Sequence, residues 1–524
     1  MALYINKGNA GFQSSRRREY VDKSRLIAVI NDTLDTDIRY SCVSRCRRFG
    51  KSMAAKMLCA YYDQSCDSRT LFADLQIASD PGFEEHLNKY PVVYLDMSDF
   101  VTRFRKDDIV RIMDGKLRAD ILRAYPGQTE ADDDDLMDCL TRIALNEKLK
   151  FIFIIDEWDA ILREFEGKKN VADEYVNWLR RMFKSGQTEQ VFAGVYMTGI
   201  LPIKKYNTES ALNNFREYSM ITPGKVSKFF GFTKSEVTLL SEKHSVDFEE
   251  LEKWYDGYKI GDEPSVFNPN SVMEAVDNGM CMGYWGKTGA YDAVSNYISM
   301  NYDSLKDDIL YLLSGGRVKV NTSKFGNDMT VVKDRDDVLT VLIHLGYLAF
   351  DWKKKECYVP NLEVSEVLSN AVEDTNWTHV AKALRNSVEL LDATIDGDAE
   401  AVAQAIDTAH DEHTSILSYN NENSLACVIS IAYYAARNDY IIHRELPSGK
   451  GFADMVFIPR KNVDKPAMVV ELKKDHSAEA AINQIKRKNY PAKLEDYAGN
   501  ILLVGINYDA ETKTHTCRIE KDTP

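Results

Sequence analysis

"RYSCVSRCRRFGKSMAAKMLCAYYD", residues 39–63, predicts a strand, a short loop and a helix in direct succession. The stretch begins with an apolar run of strand length and ends with a composition that favours a helix. In the loop between them, Gly50, Lys51 and Ser52 match the end of the phosphate-binding pattern G-x-x-x-x-G-K-[ST]. Arg45 stands where that pattern has its first glycine. A loop of this kind surrounds a phosphate with backbone N–H groups, a helix N-terminus and a lysine.

Three more apolar runs of strand length follow, and helix-like segments separate them. They occupy residues 91–98, 150–159 and 190–200. Because these runs are apolar on both faces, they are typical of a parallel sheet that helices cover on each side. The sequence therefore predicts an α/β N-terminal domain that contains the loop.

Polar residues end two of these runs. Asp156 and Glu157 close the second run, where an aspartate can hold Mg²⁺ and a glutamate can orient the water that attacks a terminal phosphate. A solvated acidic pair is the alternative, and the Gly-Lys-Ser loop makes it the weaker one. Thr198 closes the third run, either as a group that senses the terminal phosphate or as part of an ordinary turn.

Composition is that of a globular protein: 44% of the 524 residues are hydrophobic and 28% are charged, and the length suggests about three domains. No long apolar run and no signal-peptide pattern occurs, so we expect a cytoplasmic protein without membrane contact. Nine scattered cysteines favour a reducing compartment. A net charge of −15 argues against a general affinity for nucleic acid, although the part after residue 420 is nearly neutral.

The C-terminal part contains a second candidate site within an α-β-β-α-β pattern. Asp454 lies on the first strand of a predicted hairpin, and alternation places Glu471 and Lys473 on one face of the second strand. Two carboxylates that share a divalent cation, with a lysine beside them, suit metal-assisted hydrolysis of a phosphodiester. An E-x-K pair on a solvated edge strand is the common alternative. The hairpin and the following helix, with Gln484 and Lys488, favour the metal site.

Motifs along nearly the whole chain resemble the bacterial AAA-ATPase-like family that ends in a PD-(D/E)XK nuclease domain. They are "YVDKSRLI" (20–27), "SRCRRFGKSM" (44–53), "IIDEWDAIL" (154–162), "MTGILPI" (197–203), "WYDGYKIGDEPSVFNPNSV" (254–272) and "HLGYLAF" (344–350). In that family R-x-R-R-F-G-K-[ST] replaces the usual loop, so the resemblance implies that Arg45 is the family's own form. Cys46 departs from the proline that is usual at its position.

The resemblance implies an α/β fold class with three domains. We expect an N-terminal P-loop (AAA-like) domain, whose parallel sheet is covered by helices, at 1–232. A mostly α middle or lid domain is expected at 233–388. An α/β restriction-endonuclease-like (PD-(D/E)XK) domain, preceded by a helical connector, is expected at 389–524.

The resemblance also implies a site for ATP and Mg²⁺ in the first domain. Ser52 and Asp156 would hold the metal, and Glu157 would be catalytic. For Arg47 and Arg48 a role at the protein surface is an equal alternative. The residues expected to bind the nucleotide are Arg47, Arg48, Phe49, Gly50, Lys51, Ser52, Asp156 and Thr198.

For the last domain, the resemblance implies a nuclease centre. Asp454 and Glu471 would hold Mg²⁺ and, with Lys473, would be catalytic. The residues expected to support them are Glu422 on the leading helix, Gln484 and Lys488.

Two functions remain open from the sequence. The first is an ATP-hydrolysing protein that controls a metal-dependent nuclease, with DNA as the expected substrate, and the complete Asp454, Glu471 and Lys473 set favours it. The alternative is an ATP-driven switch or assembly protein whose nuclease-like domain only binds nucleic acid or a partner, which the acidic charge favours. A homo-oligomer is compatible with both.

Overall fold

The structure is a computed structural model with two compact units. One unit comprises Met1–Tyr284 with Lys319–Asn361, and the other comprises Trp285–Val318 with Leu362–Pro524. The predicted boundaries of the three domains stay predictions. The structure describes all residues except 1–2, 128–134, 166, 204–211, 286–290, 301, 303–304, 327–331, 375–377, 414–427, 449–450, 461–462, 488–493, 495–496, 498 and 523–524.

The described residues form strands that we number in chain order. They are β1 Tyr40–Ser44, β2 Val92–Asp96, β3 Phe151–Asp156, β4 Phe192–Gly199, β5 Arg216–Tyr218, β6 Phe232–Thr233, β7 Tyr258–Ile260, β8 Glu263–Phe267, β9 Val318–Lys319, β10 Ala349–Asp351, β11 Glu356–Tyr358, β12 Tyr440–Ser448, β13 Gly451–Pro459, β14 Ala467–Lys474, β15 Ile501–Asp509 and β16 Thr514–Lys521.

The helices are numbered in the same way, and short 3-10 helices occur at Gln76–Ser79, Gly224–Phe229 and Tyr434–Asn438. The α-helices are α1 Ala10–Ser15, α2 Leu26–Asn31, α3 Lys51–Tyr62, α4 Arg69–Phe72, α5 Phe83–His86, α6 Met97–Arg103, α7 Ile109–Ala124, α8 Leu136–Glu147, α9 Ala160–Glu164, α10 Lys169–Lys184, α11 Thr188–Val191, α12 Lys234–His244, α13 Phe248–Tyr255, α14 Pro269–Asn278, α15 Tyr291–Ser299, α16 Leu305–Leu313, α17 Arg335–Leu345, α18 Leu362–Asp374, α19 Thr378–Asp396, α20 Ala399–His413 and α21 Ala478–Arg487.

The N-terminal sheet is parallel, in the strand order β2-β3-β4-β1-β5, which confirms the predicted fold class. Alternation along β3 explains why both faces are covered. Phe153 and Ile155 enter one apolar core, whereas Ile152 and Ile154 enter the other. Because the strands are parallel, the carboxyl ends of β1, β3 and β4 lie at the same edge of the sheet, next to the loop.

The strand predicted at 91–98 is shorter in the structure. It ends at Asp96, whose side chain accepts a hydrogen bond from the Asp99 N–H at 3.1 Å and so caps α6. Since a capping aspartate satisfies an N–H that the helix leaves without a partner, the helix begins directly at Met97.

The middle of the chain is largely helical, as predicted, but it also contains short antiparallel strands. β8 pairs with β6 and β7, and β10 pairs with β11. Within the motif "HLGYLAF" (344–350), α17 ends at Leu345, because Gly346 adopts a left-handed conformation with φ 89°. The remaining residues of that motif then lead into β10 at Ala349.

The C-terminal sheet has the order β12-β13-β14-β15-β16, and α21 packs on it through Ile482 and Ile485. β14 and β15 are parallel, and the other neighbours are antiparallel. The sheet contains two strands that we did not predict, β12 and β16. After the leading helical segment and the 3-10 helix at Tyr434–Asn438, the chain enters β12 at Tyr440. Among the described helices, none is long and apolar enough to cross a membrane.

Candidate functional site

The phosphate-binding pattern lies between β1 and α3, as the sequence predicts. Gly50 has φ 89°, a left-handed conformation that favours glycine, and it immediately precedes α3. No described side chain caps the first turn of that helix. The N–H groups of Lys51, Ser52 and Met53 are therefore available to an anion at the positive end of the helix dipole.

Lys51 points back over this loop instead of into solvent. Its ammonium donates to the Cys46 carbonyl at 3.0 Å and lies 3.8 Å from a carboxylate oxygen of Glu157. The side chain is almost fully buried. The structure thus brings together the lysine and the glutamate that two separate motifs supply.

Asp156 ends β3 and is buried beside β4. The Thr198 hydroxyl donates to one of its carboxylate oxygens, and the Tyr94 hydroxyl donates to the other at 3.3 Å. Thr198 was predicted from the sequence but Tyr94 was not, although β2, which carries Tyr94, ends at the same edge of the sheet. The two hydroxyls hold the carboxylate in a fixed orientation.

Glu157 follows in a left-handed conformation with φ 54°, which is unusual for a residue with a side chain. One carboxylate oxygen lies 2.8 Å from an Arg163 Nη atom. Arg163 is held in turn by Asp159, whose carboxylate also accepts the N–H groups of Ile200 and Leu201 at 3.1 and 3.0 Å. Arg163 was not predicted from the sequence, although its i,i+4 spacing from Asp159 was available as a signal.

The pKa of Glu157 is raised, and burial is the largest cause. Lys51 and Arg163 oppose that rise, whereas Asp159 and Asp156 add to it. In this partly buried position, the charges of Lys51 and Arg163 therefore favour the ionised form of the Glu157 carboxylate.

Arg45 lies in the interior of the N-terminal unit instead of facing the loop's phosphate position. Its guanidinium is fully buried and donates to the carbonyls of Ser44 at 3.0 Å and Tyr218 at 2.8 Å, which joins the ends of β1 and β5. Burial lowers the pKa of Arg45 to about 10. The side chain that replaces the first glycine of the usual loop thus lies inside the domain, against the Phe230 ring.

The remaining loop residues differ in their surroundings. Arg47 is exposed, and Arg48 adopts φ 68° and donates to the Tyr284 carbonyl at 3.4 Å. The Phe49 ring is buried edge-on against Tyr258. Ser52 lies in the first turn of α3 and is half-buried.

In the C-terminal unit, Glu471 lies on β14 and is buried, with 1% of its surface exposed. Lys473, two residues along the same face, places its ammonium 3.4 Å from that carboxylate. The Gln484 amide on α21 donates to the same oxygen. Three of the predicted residues are therefore in contact.

Asp454 lies on β13, next to Met455, which pairs with Val470 of β14. Asp454 and Glu471 therefore occupy neighbouring positions on adjacent antiparallel strands. Glu422 and Lys488 lie outside the described residues. Among the side chains that the structure describes, no group of three His, Cys, Asp or Glu residues forms a metal cluster; those of Asp454 and Glu422 are outside that set.

Comparisons with known proteins match both ends of the chain. Residues 10–208 match a family described as predicted AAA-ATPase, and residues 420–517 match the PD-(D/E)XK nuclease superfamily. An uncharacterized protein in the vnfD 5' region of Azotobacter chroococcum mcd 1 is 22% identical over 507 residues, which is 90% of each chain.

Two solved structures give weaker likenesses. The Aeropyrum pernix ORC2 protein in its ADPNP–ADP complexes covers 67% of this chain and 93% of its own, with 13% identity and a TM-score of 0.25. C. elegans PCH-2 covers 62% and 67%, with 13% identity and a TM-score of 0.19. On the sequence matches, the chain combines an N-terminal predicted AAA-ATPase-like domain with a C-terminal domain of the PD-(D/E)XK nuclease superfamily.

Proposed function

We propose that the protein binds and hydrolyses ATP in its AAA-ATPase-like domain and that the nucleotide state controls a metal-dependent nuclease in its C-terminal domain. The substrate would be a nucleic acid phosphodiester, and we expect DNA. Both halves of the proposal rest on residues that the two sequence matches cover.

The loop fits a nucleoside triphosphate, because the first turn of α3 is uncapped and Gly50 leaves open space beside it. Lys51 would exchange the Cys46 carbonyl for phosphate oxygens. Ser52 and Asp156 would hold Mg²⁺, which, when bound, neutralises negative charge on the phosphates. Glu157, held by Arg163, would accept a hydrogen bond from the attacking water.

In the C-terminal domain, Asp454 and Glu471 would hold a divalent cation, which, when bound, polarises the phosphate and lowers the pKa of water. Lys473 would place the attacking water, and Gln484 would keep the Glu471 carboxylate in position. The contact of Lys473 and Gln484 with the buried Glu471 carries this proposal. On a solvated edge strand, the common alternative, Glu471 would be exposed.

The test is to incubate the full chain with plasmid or single-stranded DNA and Mg²⁺ or Mn²⁺, with and without ATP. Lys473→Ala should lower cleavage by about a hundredfold, the usual effect of losing a positioned acid–base group. Mn²⁺ binding, measured by calorimetry, should change little because Lys473 is no proposed ligand. Lys474→Ala is the matched control, since its side chain leaves the opposite face of β14.

A wild-type chain that binds no metal, together with Lys473→Ala and Glu471→Ala variants that match it in every nucleic-acid assay, would contradict the nuclease. The C-terminal domain would then be a binding module, and the ATP-driven switch would replace the nuclease as the function.

A further inference from the structure

A cleft of about 850 Å³ lies in the N-terminal unit, and none of the loop residues 44–52 lines it. The 3-10 helix that begins at Gly224 and the β7–β8 turn at Gly261 form part of its wall. Residues 319–323, the start of α17 and the end of β10 form most of the rest. This concave surface is therefore separate from the proposed ATP site.

The cleft contains a tryptophan that is unusually accessible. Trp352 follows β10, and 46% of its surface is exposed. Its indole N–H donates to the Gly261 carbonyl at 3.3 Å, which fixes the plane of the ring. A large aromatic ring that is held in place but not covered is a suitable surface on which a planar group can stack.

Cations line the same cleft as this ring. Lys319 and Lys355 line the cleft, and neither has a carboxylate partner in the described part of the chain. Arg335 also lines it, but an ion pair at 2.7 Å with Asp336 largely offsets its charge. Asp262 contributes one opposing charge.

Positive charge also continues outside the cleft. Lys353 and Lys354 precede Lys355 in the same turn, and the Lys353 ammonium lies 5.4 Å from the Trp352 ring centroid. In a chain with a net charge of −15, this excess of lysine beside an exposed ring is a local exception.

We propose that this cleft binds a single strand of nucleic acid, with a base stacked on Trp352 and the flanking phosphates at Lys319 and Lys355. Fixed aromatic rings beside cations are the usual means of holding single strands without reading their sequence. A duplex presents no open base face to the indole, and an acidic peptide makes no use of the ring. The ligand class rests on the proposed nuclease function, whereas the cleft belongs to the other unit of the chain.

The test measures the fluorescence anisotropy of labelled oligo-dT and oligo-rU with the full chain in EDTA, so that nothing is cleaved. Trp352→Ala should weaken binding by roughly 5- to 100-fold, the effect of losing one base stack, and Trp352→Phe should restore most of it. The affinity of each oligonucleotide is measured at several salt concentrations. Lys319→Gln and Lys355→Gln should each reduce the slope of log K against log salt concentration by about 0.7, the value for one phosphate contact on a single strand. Lys89→Gln, an exposed lysine far along the chain from this cleft, is the control. The two oligonucleotides distinguish DNA from RNA.

Equal affinity of wild type and Trp352→Ala, or an unchanged salt dependence in both lysine variants, would overturn the proposal. So would cleft-dependent binding of poly-glutamate without binding of either oligonucleotide, because the ligand would then be an acidic peptide. DNA cleavage by a chain that fails this binding test contradicts the cleft alone. Cleft-dependent binding by a chain that cleaves nothing supports the cleft and contradicts the nuclease.

Discussion

At the residue scale, Lys51 and Glu157 form an ion pair in the candidate ATP site. Their charged groups are 3.8 Å apart, and Arg163 holds the second oxygen of Glu157 at 2.8 Å. Because a bound phosphate would compete with Glu157 for the lysine, we expect nucleotide binding to leave the glutamate with Arg163. The carboxylate would then be free on one side to accept a hydrogen bond from water.

Lys51→Ala should abolish measurable ATP binding, because it removes the ammonium expected to contact the phosphates. Glu157→Gln should bind ATP and turn it over at least about a hundredfold more slowly, since an amide is a poor acceptor of the water proton. Equilibrium binding of a fluorescent ATP analogue, beside phosphate release, measures both effects. Lys56→Ala, exposed on the same helix, is the control, and unchanged affinity in Lys51→Ala would count against this site.

At the scale of secondary-structure elements, α17 holds an ionisable side chain, that of His344, in the interior of the N-terminal unit. His344 lies at the end of that helix, and burial, with added repulsion from Arg45, lowers its pKa to about 3. Its Nδ1 atom has no hydrogen-bond partner among the described residues. The folded protein therefore holds His344 neutral, whereas the unfolded chain binds a proton near the ordinary pKa of 6.5.

His344 should make the unit less stable in acid. Its contribution is fully present above about pH 6.5 and declines toward pH 3, by up to about 1.4 kcal/mol of unfolding free energy per pH unit. His344→Leu cannot take up the proton, so the loss of stability between about pH 6.5 and 5 should be smaller in that variant. Urea unfolding at several pH values measures this difference. Parallel curves for wild type and variant would show that His344 is not held neutral.

For the whole molecule, the candidate ATP site and the candidate nuclease centre lie in different compact units. The ATP-site residues belong to the unit that includes the N-terminal sheet, and Glu471, Lys473 and Gln484 belong to the other. Control of cleavage by ATP would therefore require a nucleotide-dependent change that passes from one unit to the other. Such coupling is the free energy by which a ligand bound at one site changes the equilibrium at the other. Variants of each site can measure it.

Lys51→Ala should remove any effect of ATP on DNA cleavage while leaving the ATP-independent rate. Glu471→Ala should remove cleavage and leave ATP turnover unchanged, because it alters only the nuclease centre. Plasmid nicking and phosphate release, measured on the same preparations, compare the two variants. If Lys51→Ala keeps the full response to ATP, the two sites are not coupled as proposed.

The sequence by itself determined the features that a few neighbouring residues encode. Apolar runs predicted the parallel strands, and the spacing of Glu471 and Lys473 predicted their shared face, because side chains alternate along a strand. β12 and β16, the edge strands of their sheet, were not predicted, because their many polar residues obscure the apolar run that marks a strand covered on both faces. The roles assigned to the site residues stay predictions.

Only the tertiary structure decided which distant residues meet. It placed Tyr94 on Asp156 and the Arg45 guanidinium on the Tyr218 carbonyl. It also brought Trp352 to the Gly261 carbonyl in the cleft. These contacts depend on how separate segments pack, and local periodicity carries no information about packing between segments far apart in the chain.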